Sequence, residues 1–200
     1  MSRQLPTIYP ITSGTTTPET TADDPQFLSI LRLVEAAVAV NVPLLQIREK
    51  ALHARVLFEL VVRAVEIVRG SETRLLVNDR SDIARAGGAD GVHLTGHSLP
   101  ADVVRRIFGP DFLIGVSTHS VEEARMARIG GADFVVFGPV FETESKRAFG
   151  PPQGLERLRE VCSELGGFPV IAIGGITLEN AKDCLRAGAS GIAGISLFNE

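Results

Sequence analysis

Short apolar runs rich in β-branched residues recur along the chain at residues 7–11, 44–47, 74–77, 91–94, 112–116, 134–137, 169–173 and 191–195. Runs this short, bounded by Gly, Pro and polar residues, read as strands rather than buried helices. Between them the apolar positions follow a 3.6-residue period instead. Over 56–68, Leu57, Leu60, Val61, Ala64, Val65 and Val68 fall on one stripe of a helix, and 27–40 reads the same way. The pattern predicts eight strands alternating with helices throughout.

Strict alternation implies an α/β fold whose parallel strands are joined by right-handed crossovers. Eight such units favour closure into a single (β/α)₈ TIM barrel covering residues 1–200 as one domain, at the short end of the size range for that architecture. A partial repeat points the same way. Gly87-Gly88-Ala89-Asp90, Gly130-Gly131-Ala132-Asp133 and Ala187-Gly188-Ala189-Ser190 each precede an expected strand, which suggests one helix-to-strand corner built three times. Glu200 follows the eighth strand almost at once, so the eighth helix is expected to be short or missing. The uncovered flank would then be closed by the N-terminal segment or by a second copy in a homodimer. Residues 12–25, rich in Thr, Pro and Asp, read as a mobile loop, either a lid or slack.

A hydrophobic content of 44% with 22% charged residues and a net charge of −4 describes a globular chain without the basic field that nucleic acid or an anionic membrane requires. Any anionic ligand must be held locally. Cys162 and Cys184 form no closely spaced metal-binding pair and read as reduced helix residues. The N-terminus lacks a basic segment followed by an apolar core, and no stretch approaches the ~20 apolar residues of a membrane span. A cytoplasmic location is the expectation.

In such a barrel, ligands sit over the strand C-termini. The second strand ends Gln46-Ile47-Arg48-Glu49-Lys50, and a period of two would put Gln46, Arg48 and Lys50 on one face. An amide, a guanidinium fork and an ammonium suit a diphosphate, although the two cations could also be solvated loop charges. Asp79, after the third strand, could ligate Mg²⁺, or Asp79 or Ser81 could simply cap the next helix. Ser117 and His119 lie at the mouth of the fifth strand, whereas Ser120 with Glu123 makes a capping box. The long loop after the sixth strand carries Thr143, Ser145 and Lys146, an arrangement suited to clamping an anion or to an ordinary surface loop. Gly174-Gly175 and Ser196 follow the last two strands, where backbone amides of barrel loops often hold phosphate.

Taken in order, Gln46-Ile47-Arg48-Glu49-Lys50, Val77-Asn78-Asp79-Arg80, Asp90-Gly91-Val92-His93-Leu94, Gly115-Val116-Ser117-Thr118-His119-Ser120, Phe137-Gly138-Pro139-Val140-Phe141 with Thr143 and Lys146, and Ile173-Gly174-Gly175-Ile176 resemble the motifs of the thiamine phosphate synthases and their thiazole tautomerase relatives. The resemblance implies joining of 4-amino-5-hydroxymethyl-2-methylpyrimidine diphosphate to the phosphate of 4-methyl-5-hydroxyethylthiazole, with diphosphate leaving first. It implies that Gln46, Arg48 and Lys50 hold the diphosphate with Lys146 and Ser117. Asn78 would lie beside the pyrimidine and Asp79 would bind Mg²⁺. Thr143 and Ser145 would meet the thiazole phosphate, and Gly175 and Ser196 would contact substrate nearby. Ser98 stands where the synthases usually carry a second metal-binding Asp. Tautomerase chemistry is the alternative, although tautomerases generally carry His at the position of Pro139. A barrel that binds a phosphorylated ligand without turnover is the third reading.

Overall fold

The computed structural model describes residues 8–143 and 151–198. Eight strands, β1 (Ile8–Pro10), β2 (Leu44–Ile47), β3 (Arg74–Asn78), β4 (Gly91–Leu94), β5 (Leu113–Thr118), β6 (Phe134–Phe137), β7 (Val170–Ile173) and β8 (Gly191–Gly194), form one parallel sheet in the order β1-β8-β7-β6-β5-β4-β3-β2. Helices α1 (Pro25–Ala39), α2 (Ala54–Val68), α3 (Ser81–Gly87), α4 (Ala101–Phe108), α5 (Val121–Ile129), α6 (Gly154–Leu165) and α7 (Ala181–Arg186) alternate with the strands. The sheet closes on itself where Ile11, just past β1, bridges in parallel to Gln46 of β2, with the Thr12 amide donating to the Gln46 carbonyl at 3.0 Å. The expected (β/α)₈ TIM barrel is the fold. After β8 the chain makes a 3-10 turn at Ser196–Phe198.

Alternation along each strand builds two apolar layers. One set of strand residues, including Leu45, Leu75, Val77, Val92, Ile114, Val135, Phe137 and Ala172, packs outward with the helices. The other set, Tyr9, Leu44, Leu76, Leu113, Phe134, Val136, Ile171 and Ala193, fills the barrel. In α2 the expected stripe is buried at Leu57, Leu60, Val61, Ala64 and Val68, with Val65 only half-buried at its margin. Full burial of each larger member contributes roughly 1.5–3 kcal/mol.

The repeated corner has a definite mechanical job at the N-terminal end of the barrel. The Asp90 carboxylate accepts the Leu75 amide and the Arg74 guanidinium, both at 2.8 Å. Asp133 does the same two units later, accepting the Ile114 amide at 2.8 Å and Arg105 at 2.7 Å. Ser190, the third member, keeps the backbone part of the corner, its amide donating to the Val170 carbonyl at 2.8 Å. Gly88 supplies the left-handed cap, at φ +81°, that turns the chain into the first corner.

Residues 12–25 are not the slack or lid that their composition suggests. Thr12, Thr16 and Thr20 are buried, and the loop is gathered onto Glu49, itself only 3% exposed. The Glu49 carboxylate accepts the hydroxyls of Thr12 (2.5 Å) and Thr16 (2.7 Å) and the amides of Gly14 (3.1 Å) and Thr16 (3.4 Å). A buried carboxylate with this many donors has its oxygens satisfied and fixes the loop that supplies them.

Candidate active site

Parallel strands bring all their C-terminal ends to one rim, and the barrel interior turns polar toward it. Gln46 and Asn78 each come two residues after an interior leucine, Leu44 and Leu76, on the same strand face. Gln46 Nε2 donates to Asn78 Oδ1 at 3.2 Å, which leaves the buried Gln46 Oε1 with no hydrogen-bond partner among the described residues. An interior acceptor without a donor costs about 1–3 kcal/mol, a debt that a ligand can cancel.

On the adjacent strand β4, where His93 is the register partner of Asn78, His93 Nε2 lies 2.8 Å from Ser117 Oγ, and His93 Nδ1 lies 3.4 Å from the Tyr9 hydroxyl. Burial, with a smaller contribution from the positive charge of Arg48, pushes the His93 pKa down to about 3, so the ring is neutral at ordinary pH. Burial likewise raises the Tyr9 phenol well above its usual value.

Arg48 is half-buried just past the end of β2, its amide donating to Thr12 Oγ1 at 2.8 Å. Its guanidinium lies against the Glu49-gathered loop, because a Cβ added at Gly14 would meet Arg48 Nη1 at 3.3 Å. Strand β2 stops at Ile47, and Lys50 is exposed in the turn that follows. The regular two-residue alternation that would align Arg48 and Lys50 with Gln46 therefore ends before it reaches either cation.

Asp79 is exposed at the end of β3 with φ +63°, a left-handed conformation that costs a non-glycine residue about 1–2 kcal/mol. Its amide is held by the His93 carbonyl at 2.8 Å. The capping alternative falls away here, since Arg80 occupies the N-cap of α3 and no side chain caps that helix. Ser98 accepts the Thr95 amide at 2.7 Å and lies 3.2 Å from Thr95 Oγ1, which closes the turn after β4. The described residues contain no group of three or more His, Cys, Asp or Glu able to hold a metal ion. Hard ions such as Mg²⁺ need no such group when water and substrate phosphates complete their shell.

Thr143 and Gly175 are brought near each other by the β6–α6 loop. The amides of Val140 and Phe141 donate to the carbonyls of Ile173 and Gly174 at 2.8 and 2.9 Å. Gly175, at φ +63°, sits so close to the Glu142 carbonyl that a Cβ would approach it to 2.4 Å, so only glycine fits. Ser196 is exposed at the start of the 3-10 turn. Ser145 and Lys146 lie outside the described residues. The Ser120 capping box forms in part: Ser120 Oγ accepts the Glu123 amide at 3.1 Å, while the Glu123 carboxylate reaches back to the His119 amide at 2.7 Å. The exposed His119 ring rests with Nδ1 2.5 Å from the Gly138 carbonyl.

Three interior residues escape a reading by motif: Glu49, Tyr9 and His93. Glu49 sits between the two cations of its motif and accepts from the Thr-rich loop, whose hydroxyls could have suggested it. Tyr9 is the single tyrosine of the chain, at an inward position of β1. The two cysteines are structural, their thiols raised to about 11 chiefly by burial. No helix among the described residues is long and apolar enough to cross a membrane.

Comparison with known proteins agrees with this geometry. Residues 15–198 match the family described as thiamine monophosphate synthase. A thiamine-phosphate synthase of Chlorobium phaeovibrioides is 48% identical over 153 residues, which cover 76% of this chain and 73% of the relative. One from Moorella thermoacetica is 43% identical over 166 residues, covering 83% and 79%. The solved structure of a thiamine phosphate pyrophosphorylase from Pyrococcus furiosus superposes with a TM-score of 0.78 at 34% identity, covering 96% of this chain and 87% of that one. With the match spanning nearly all of the barrel, the chain belongs to the thiamine monophosphate synthase family.

Proposed function

We propose that the chain is a transferase of thiamine biosynthesis that joins 4-amino-5-hydroxymethyl-2-methylpyrimidine diphosphate to 4-methyl-5-(2-phosphoethyl)thiazole. The bond from the pyrimidine methylene carbon to the diphosphate oxygen breaks, and diphosphate departs with the electron pair. The lone pair of the thiazole nitrogen then forms the new carbon–nitrogen bond, giving thiamine phosphate. No proton moves at the reacting carbon, so the demand on the protein is to hold a departing anion and screen a cationic centre.

The observation that carries this reading is the pairing of Gln46 with Asn78 beside Arg48 at one end of β2 and β3. Gln46 Oε1 is an acceptor awaiting a donor. A diphosphate offers it none, whereas the exocyclic amine of an aminopyrimidine does. Gln46 and Asn78 are therefore assigned to the pyrimidine, with Arg48, Lys50, Ser117 and Lys146 around the diphosphate. Thr143, Ser145, Gly175 and Ser196 take the thiazole phosphate. Magnesium fits the donor set, with Asp79 as the carboxylate ligand and water or phosphate oxygens where Ser98 replaces a second one. When bound, the ion supplies charge neutralisation to the leaving diphosphate.

The test is formation of thiamine phosphate by purified protein from the two substrates, across a wide range of Mg²⁺. Metal-dependent product is expected. No product at any Mg²⁺ concentration, from protein shown to be folded, overturns the reading.

A further inference from the structure

Tyr9, His93 and Ser117 form a hydrogen-bonded chain from the closed interior of the barrel to its rim, and the direction of the protons along it matters. A neutral imidazole has one N–H, so two arrangements are open. If Nδ1 carries the proton, Nε2 must accept the Ser117 hydroxyl hydrogen, and Ser117 has nothing left to donate. If Nε2 carries it, His93 donates to Ser117 Oγ, and the serine hydrogen is free to turn toward the rim.

Tyr9 decides between them. It is fully buried, and among the described residues its hydroxyl makes one hydrogen bond, to His93 Nδ1. Were Nδ1 the donor, the phenol hydrogen would be left in an apolar interior with no acceptor, at a cost of about 1–3 kcal/mol. Were Tyr9 the donor, the phenol and imidazole hydrogens would both have a partner, and that of Ser117 would be free to turn outward. The surroundings hold the trio in place. Phe134 meets the Tyr9 ring edge-on, with centroids 5.7 Å apart and planes at 83°. Gly115 leaves room for both rings, since a Cβ there would meet Phe134 at 2.3 Å and His93 Nδ1 at 2.9 Å.

We infer that Tyr9 and His93 are positioning residues that lock the hydrogen-bond chain in one direction, so that the Ser117 hydroxyl is always presented as a donor to an anionic leaving group. The inference rests on the assignment of Ser117 to the diphosphate. A doubly protonated ring would also leave the buried Tyr9 hydrogen without an acceptor, so the same count of donors and acceptors excludes it.

The direction is read directly by NMR of ¹⁵N-labelled histidine in the folded wild-type protein, with the His93 signals assigned by their loss in His93→Gln. The expected result is a neutral ring protonated at Nε2. Tyr9→Phe, which removes one oxygen, is expected to raise the Nδ1–H fraction and to lower kcat about tenfold, the value of one hydrogen bond, with KM for the pyrimidine diphosphate little changed. In a Ser117→Ala background the same change is expected to leave kcat where Ser117→Ala put it. An Nδ1–H ring in the active wild-type enzyme overturns the inference. So does a Tyr9→Phe loss of equal size in the Ser117→Ala background, which would mark a packing effect. An Nε2–H ring in a protein that makes no thiamine phosphate overturns the functional reading instead and leaves the direction of the chain standing.

Discussion

The two ends of the barrel use the same residue types in opposite ways. At the N-terminal end, Asp90 and Asp133 each accept a backbone amide and an arginine, and the carboxylates are spent on holding neighbouring strands together. At the C-terminal end, Asp79 is exposed on strained left-handed backbone, Gln46 Oε1 has no partner, and the buried Thr118 hydroxyl has none either among the described residues. One end is closed chemically and the other is left open. Open polar groups and strained backbone cost stability, and they persist where a ligand restores what is missing. The contrast teaches that stability and chemistry have been assigned to opposite ends of the same strands.

Substitutions at each end should then separate activity from stability. Arg48→Ala is expected to lower kcat/KM by about 2–4 kcal/mol in transition-state stabilisation while leaving the thermal midpoint nearly unchanged, as steady-state kinetics and a melting curve would measure. An Arg48→Ala protein with wild-type turnover breaks the comparison at the open end. Asp133→Ala should do the reverse, costing about 2 kcal/mol of stability in urea unfolding, with kcat of the folded fraction preserved.

His93 lies between the ends and gives a pH signature. Its folded pKa of about 3 is below the unfolded value of 6.5. The unfolded chain therefore takes up the proton first as pH falls. Stability from the neutral ring is complete above about pH 6.5 and is lost toward about 3, at about 1.4 kcal/mol per pH unit. That part of the slope should vanish in His93→Gln. The smallest effect is expected from Ser98→Asp, which puts a carboxylate at the position where the resemblance implies a second metal ligand. Thiamine phosphate formation should then reach half its maximum at a severalfold lower Mg²⁺ concentration.

The barrel itself was legible because a parallel strand buried on both faces has few compositions open to it, and helices over its outside need the 3.6-residue stripe seen in α2. Polar residues at strand ends stood out for a related reason: Arg48, Asp79 and Ser117 interrupt apolar runs at the rim to which a barrel brings its strand C-termini. What escaped was cooperation between residues distant in sequence. Glu49 makes sense only when the loop of Thr12, Gly14 and Thr16 folds onto it, 33 to 37 residues away. Tyr9, His93 and Ser117 become one unit only when the barrel closes, since Tyr9 and His93 are 84 residues apart. For Arg48 and Lys50 the strand period was no guide, because alternation was extended past Ile47, where the strand ends.

The closure between β1 and β2 has a consequence for how binding would be felt through the molecule. Elsewhere neighbouring strands share ladders, but among the described residues this seam has a single bridge at Ile11 and Gln46, reinforced by the Thr12 hydroxyl between the Arg48 amide and the Glu49 carboxylate. The residues that fasten the seam thus adjoin those assigned to the substrate. Opening the seam and releasing the ligand become linked equilibria: whatever free energy the ligand gains from Gln46 and Arg48 is added to the cost of parting β1 from β2. Slower amide hydrogen exchange at Ile11 and Thr12 in the presence of diphosphate would be the outward sign of a barrel whose cargo serves as its clasp.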